Sequence, residues 1–517
     1  MRTYDIAVVG SGFAGSLLAM IAHRMGRSVV LIERGKHPRV VIGESSTPLS
    51  NLLLEDLTTR YNLPRLSPLS KWGSWQEHYP KITCGLKRGF TFYHHLPGHP
   101  AAADPDRLNQ LLVAASPHHR IADTHWYRAD FDELFVHEAQ TLGVDYIDEV
   151  KLERFVDHAN EISLEGKKND RDITFRARFV VDATGPRGFL HHALHLPEAI
   201  LPNYPATQAL YSHFSDVIRL DQAPAHQTAD IPPYPIDDAA VHHVFDGGWI
   251  WVLRFNNGIT SAGVAATDEA AARLRFADGE TAWKRLVDSM PALKEQFANA
   301  KTVRPFTHVR RLPFLSGAIC GERWAMLPSA AGFVDPLLST GFPLTLLGVS
   351  RLADILEHDW ESPRFHEQLQ QYATQTTEEL LATSRLIASL YANMNNFPVF
   401  TALSLLYFAA ASFTETARRL KKPQLVPSFL LHDHATFGPA CRKLFERAQR
   451  VCSEQESIQL IEDAIRAIEP IDVVGLCNRQ RRNWYPVDPE DLFSSAHKVG
   501  ATRDEIESIL QSCGFYQ

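Results

Sequence analysis

"YDIAVVGSGFAGSLLAMIAHRMGRSVVLIE", residues 4–33, is the stretch that decides the fold. Tyr4 to Val9 is a short, mostly apolar run with the look of a buried strand. It breaks at Gly10-Ser11-Gly12-Phe13-Ala14-Gly15, and the residues from Ser16 to Gly26 read as a helix. A second apolar run follows and ends on Glu33. A G-x-G-x-x-G turn between strand and helix, with an acid closing the next strand, is the pattern of a dinucleotide-binding unit. Gly10 makes the tight turn, Gly12 admits a pyrophosphate to the backbone, and Gly15 lets helix and strand meet. Phe13 and Ala14 open the helix whose N-terminus faces the phosphates. Glu33 is placed to accept from a ribose hydroxyl.

The chain has 517 residues, too many for one core, so two or three lobes are expected. A net charge of -8 argues against nucleic acid as a partner. The six cysteines are scattered, without C-x-x-C pairs, which suits reduced thiols in a cytoplasmic enzyme. No metal is expected among the 24 histidines, which read as surface or core partners. "PVFTALSLLYFAAASF", Pro398 to Phe413, falls short of the roughly 20 apolar residues that span a bilayer. It reads as a buried helix. The basic "ARRLKKP" after it leaves peripheral membrane contact as the weaker alternative.

Three further segments extend the first. "YRADFDELF" (127–135) resembles the R-x-x-F-D segment of flavin monooxygenases through Arg128, Phe131 and Asp132. "ARFVVDATGPRG" (177–188) resembles their A-T-G turn, and "LPSAAGFVDPLLSTGFPLTLLG" (327–348) their second flavin motif. The resemblance implies FAD. Arg128 would lie near its phosphates or ribityl chain, although the residue also reads as a solvated charge at a helix start. Asp182, Ala183 and Gly185 would return to the nucleotide. Asp335 and Gly341 would present a helix N-terminus to the isoalloxazine. The family's Gly-Asp before "AAGF" is Pro328-Ser329 here, so Ser329 would bond the ribityl chain without a charge. No second glycine fingerprint follows, and no separate NAD(P)H domain is expected.

The resemblance narrows to the flavin-dependent halogenases. "VIGESSTPLSNLL" (41–53) looks like their strap near the flavin, through Glu44 and Ser45. "CGLKRGFTFYHH" (84–95) fits the K-x-G-x-x-F pattern of the phenol and pyrrole type, with His94 where an aromatic is expected. "GWIWVLRF" (248–255) is similar to W-x-W-x-I-P, with Leu253-Arg254 replacing Ile-Pro. By this resemblance reduced FAD comes from a separate reductase, and chloride or bromide is held at Ser339, Thr340 and Gly341. Lys87 would deliver the oxidised halogen to an electron-rich aromatic or pyrrole-type ring, on a free or carrier-bound small molecule. On spacing alone Lys87 also reads as a solvated charge. Trp249 and Trp251 share one face of a strand and would wall the substrate chamber, or simply pack a core. Arg254 would enter that chamber or lie in solvent. Leu338 stands where tryptophan halogenases carry a glutamate, which points to a ring activated enough to lose its proton unaided. The alternative is a monooxygenase or dehydrogenase of an apolar secondary metabolite that uses no halide.

The expected fold is α/β. A Rossmann-like FAD domain of the glutathione-reductase or hydroxybenzoate-hydroxylase type is assembled from 1–55, 116–200 and 300–355. A β-sheet substrate domain takes 56–115 and 201–299, and a helical C-terminal region takes 356–517. The proline-rich Leu220–Asp238 stretch reads as a loop, a candidate lid. Lys87 and His94 are expected on one strand, on opposite faces by their odd spacing unless Gly89 breaks it.

Overall fold

Thr3–Val9 forms a strand paired in parallel on both sides, with Val29–Ile32 and with Arg171–Asp182. It is buried from Ile6 onward because helices cover such a sheet on both faces. The computed structural model describes residues 2–99, 104, 106–222 and 230–516. The chain divides into two units.

The first unit takes Met1–Ser70, Trp126–Leu201 and Pro313–Leu381. Its seven-stranded sheet adds Asp145–Ile147 and Trp324–Met326 in parallel, then turns antiparallel through Ile162–Lys168 and Val150–Asp157. Helix Phe13–Arg24 is buried along most of its length, as the parallel crossover requires. The helix Pro48–Arg60 belongs here too. Arg60 pairs with Asp354 and Glu357 of helix Gly341–His358, and Tyr61 Oη reaches Glu357 at 3.0 Å. Residues 56–70, expected in the other domain, are therefore held in this one.

The second unit takes Lys71–His125, Pro202–Leu312 and Ala382–Gln517. Its nine-stranded sheet is mostly antiparallel, in the order Lys301–Thr302, Thr207–Ser215, Thr260–Thr267, Gly248–Arg254, Ala240–Phe245, Gly89–His94, Gln110–Ala114, Trp484–Tyr485. Thr307–Val309 pairs with Thr207–Ser215 off that path. One face packs Leu210, Val241, Ile250, Val252 and Val264 against Trp283, Leu286 and Phe297. The other carries Phe90, Phe92, His242, Trp249 and Trp251.

That second face explains the C-terminal segment. Helix Phe397–Arg419 lays Phe400 and Phe408 against Phe92, at 5.9 and 6.4 Å, and Phe408 against Phe90 at 5.2 Å. Its most apolar window has a mean hydropathy of 1.6 and is 83% buried, which favours the core-helix reading over a membrane contact. The residues after 381 form the helical C-terminal region that was expected and group with the second unit, to whose sheet Trp484–Tyr485 adds one short strand. Of the candidate lid, residues 223–229 lie outside the described residues. Its later part is pinned: Tyr234 is buried and donates to the Phe90 carbonyl at 2.6 Å.

Candidate functional sites

In the first unit the glycines act through close approach. Gly10 sits at φ +100°, and a Cβ there would lie 2.6 Å from the Ala183 carbonyl oxygen. A Cβ on Gly15 would lie 2.0 Å from the Gly10 carbonyl oxygen. Gly12 differs: the nearest atoms to its Cβ would be Arg128 Nη2 at 3.5 Å, Asp132 Oδ2 at 3.7 Å and Arg39 Nη2 at 3.8 Å. Two guanidinium groups therefore flank the N-terminus of helix Phe13–Arg24, where helix dipole and free N–H groups already favour an anion.

Arg128 is no solvated charge. It is buried, donates twice to the wholly buried Asp132 at 2.8 Å, and reaches the Gly43 carbonyl at 2.9 Å. Its guanidinium lies over the rings of Phe13 and Phe342, and Trp126 and Phe131 pack against Phe13 in turn. Glu33 accepts from the N–H and hydroxyl of Ser11, from the Gly35 N–H, and from Arg39. Burial works against its charge, yet Arg39 and those donors hold the carboxyl below its ordinary range.

Other expected contacts have structural duties. Asp182 is fully buried and accepts from the Thr184 N–H and hydroxyl and the Leu190 N–H, so it shapes the turn around Gly185 instead of offering a free acceptor. Burial raises its pKa. Ala183 lies against Gly10 and Gly15. Glu44 is buried, with its carbonyl accepting from Trp126 N–H at 2.6 Å, and Ser45 beside it is half-buried. Asp335 caps the Leu337 N–H at 2.9 Å. Leu338 and Ser339 are both left-handed, at φ +62° and +54°, and this turn delivers Thr340 and Gly341 to the start of the 18-residue helix Gly341–His358. Among the described residues nothing lies within 4 Å of a Cβ on Gly341, so that helix start is open. Ser329 is half-buried on the short helix Pro328–Ala331. Open cradles at Gly12 and Gly341, with arginines at the first, fit an FAD.

In the second unit Lys87 is 0% exposed. Its Nζ stands 3.8 Å from the centre of the Phe90 ring. Burial lowers its pKa to about 7, with Asp123 partly offsetting that. The solvated-charge reading fails. Lys87 ends strand Cys84–Lys87, which pairs with Asp123–Trp126, whereas His94 ends the separate strand Gly89–His94 of the large sheet. The single-strand expectation is corrected: the chain changes sheets at Arg88, whose N–H goes to the Asp238 carbonyl at 2.6 Å.

Trp249 and Trp251 share a face, 5.7 Å apart, beside His242. The Trp249 Nε1–H donates to Tyr391 and that of Trp251 to Ser261. Gly263 makes room, since its Cβ would lie 2.4 Å from the Trp251 ring. Arg254 departs from expectation. It donates from Nε to Asp237 at 2.7 Å and from Nη1 and Nη2 to the Val217 and Ile218 carbonyls at 2.8 and 2.5 Å. The Asp237 side chain is 0% exposed, so the guanidinium is a structural clamp and neither a substrate contact nor a solvent charge.

Reasoning from sequence missed Asp123, His125 and His242 around Lys87. The alternation in "DTHW", 123–126, is the only local signal for the first two.

The family model described as tryptophan halogenase matches residues 122–397. The tetracycline 7-halogenase of Kitasatospora aureofaciens is 28% identical over 425 residues, 79% of this chain and 74% of that protein. The monodechloroaminopyrrolnitrin halogenase PrnC of Pseudomonas fluorescens is 27% identical over 71% of this chain and 65% of its own length. The solved structure of halogenase PltM superposes with a TM-score of 0.82, covering 93% of this chain and 99% of that one at 22% identity, a likeness of fold.

Proposed function

The chain belongs to the tryptophan halogenase family of flavin-dependent enzymes, and we propose that it halogenates an electron-rich aromatic or pyrrole-type ring. Reduced FAD comes from a separate reductase, and the substrate is a small molecule, free or tethered to a carrier protein in a cytoplasmic setting. The observation that carries this reading is Lys87: an amine with no solvent access, set on an aromatic face and poised near neutrality.

Gly10, Gly12 and Gly15, with Arg39 and Arg128, would hold the pyrophosphate, and Glu33 the ribose. The turn at Asp335–Gly341 would hold the isoalloxazine end and, through the backbone of Ser339, Thr340 and Gly341, the halide. Bound reduced flavin supplies, with oxygen, the two-electron oxidation of halide. Lys87 then donates hydrogen bonds to the hypohalous acid so formed and holds it against the ring; a carbon–halogen bond forms as the oxygen–halogen bond breaks, and the ring proton leaves with the hydroxide as water. Lysine suits this because its compact ammonium offers three donors. Trp249 and Trp251 line the ring's side of the sheet. Leu338 offers no base, which favours rings activated by a hydroxyl or ring nitrogen.

The test supplies the full chain with FAD, a flavin reductase, NADH, oxygen, bromide and an electron-rich phenol. Brominated product that disappears in Lys87→Ala is expected. Hydroxylated or desaturated product independent of halide would overturn the reading in favour of a monooxygenase or dehydrogenase.

A further inference from the structure

His125 is fully buried yet takes no part in the chemistry above. A Cβ on Gly85 would lie 2.9–3.0 Å from the His125 side chain, so the two residues face each other across the Cys84–Lys87 and Asp123–Trp126 pair. Strand alternation then brings Lys87, two residues after Gly85, and Asp123, two before His125, to the same face. The His125 ring is fixed through Nε2, which donates to the Ala239 carbonyl at 3.3 Å. That bond assigns the proton to Nε2 and leaves Nδ1 a lone pair. Nδ1 is buried and, among the described residues, has no hydrogen-bond partner. An orphaned buried acceptor is costly, and its persistence beside a reactive amine asks for a donor that arrives with the substrate.

We propose that His125 is a specificity-determining residue whose Nδ1 accepts the O–H or N–H of the activated ring, so that the substrate class is rings carrying such a donor. This rests on the halogenase reading and sharpens it: the group that makes a ring electron-rich is also the one recognised. The cluster keeps Nδ1 unprotonated. Burial, then the Lys87 charge, lowers the His125 pKa to about 3. The other titratable groups that act within this cluster are Asp123, His242 and Tyr407. Burial and then Lys87 likewise lower His242 to about 3, while burial and then Asp123 raise Tyr407.

The test measures calorimetric affinity of the full-length protein for resorcinol and for 1,3-dimethoxybenzene, two rings of similar reactivity of which only the first donates. Wild type is expected to prefer resorcinol roughly 10-fold or more. His125→Leu should erase the preference. His125→Asn, whose Oδ1 reproduces the acceptor near Nδ1, should keep most of it. Equal wild-type affinities, or a preference that survives in His125→Leu, would overturn the proposal, and the wild-type pair decides even if the leucine variant fails to fold. Bromination of both compounds is followed in parallel. Turnover of both rings with equal affinities removes the His125 assignment alone, whereas a resorcinol preference without any bromination removes the halogenase reading and leaves the hydrogen bond standing.

Discussion

Replacing Arg254 by methionine separates the clamp from a substrate contact. The change keeps the apolar stem of the side chain and deletes three hydrogen bonds, one to a carboxylate with no solvent access and two to backbone carbonyls. Breaking a buried pair by removing one partner costs about 3–5 kcal/mol, because the other charge is stranded. At roughly 2 °C per kcal/mol for a unit this large, the melting midpoint should fall by roughly 6–10 °C. Tryptophan fluorescence during thermal or urea unfolding reads this directly, since Trp249 and Trp251 lie on the same strand as Arg254. Asp237→Asn removes the charge that needs the guanidinium, so Arg254→Met should cost much less in that background, and the double-mutant cycle isolates the pair. Refolded Arg254→Met should bind substrate within a few-fold of wild type. A variant that melts like wild type but loses substrate affinity tenfold or more would refute the clamp and restore the substrate-contact reading.

The glycines of the first turn should separate by what surrounds them. Gly15→Ala places a Cβ 2.0 Å from a backbone oxygen and should unfold the first unit or abolish soluble expression. Gly12→Ala meets nothing nearer than 3.5 Å, so it should fold normally by circular dichroism while weakening FAD affinity at least tenfold by equilibrium dialysis. Lys87 should leave a mark on pH dependence. Its folded pKa, about 7, lies below that of an unfolded lysine near 10.4, so between those values the unfolded chain binds the extra proton and the residue's contribution to stability rises with pH. Urea midpoints at pH 6.5 and 9.5 should show this rise in wild type and lose it in Lys87→Met.

The FAD fold was legible early because its signal is local. A turn at positive φ, a helix start facing phosphate and a strand too short to be a helix are each specified within a few residues, and Gly10, Gly12, Gly15 and Glu33 stand where the pattern requires. Arg128 illustrates the limit: its position in a helix is local, but only Asp132, Gly43 and the rings around it turn a surface charge into a buried one. The same holds more strongly for Lys87 and Arg254. The sequence shows a lysine before a glycine and an arginine after two tryptophans, and neither burial nor partner can be read there.

Sequence by itself therefore determined the cofactor-binding turn, the alternation that puts Trp249 and Trp251 on one face, and the candidate amine. Tertiary structure decided that Lys87 and His94 sit in different sheets, that Arg254 is taken up by Asp237 and two carbonyls, and that the apolar C-terminal helix roofs the aromatic face. It also decided that His125 stands beside the lysine. Backbone geometry is set by neighbours in the chain, whereas desolvation, charge pairing and orphaned acceptors depend on which distant segments close over a side chain.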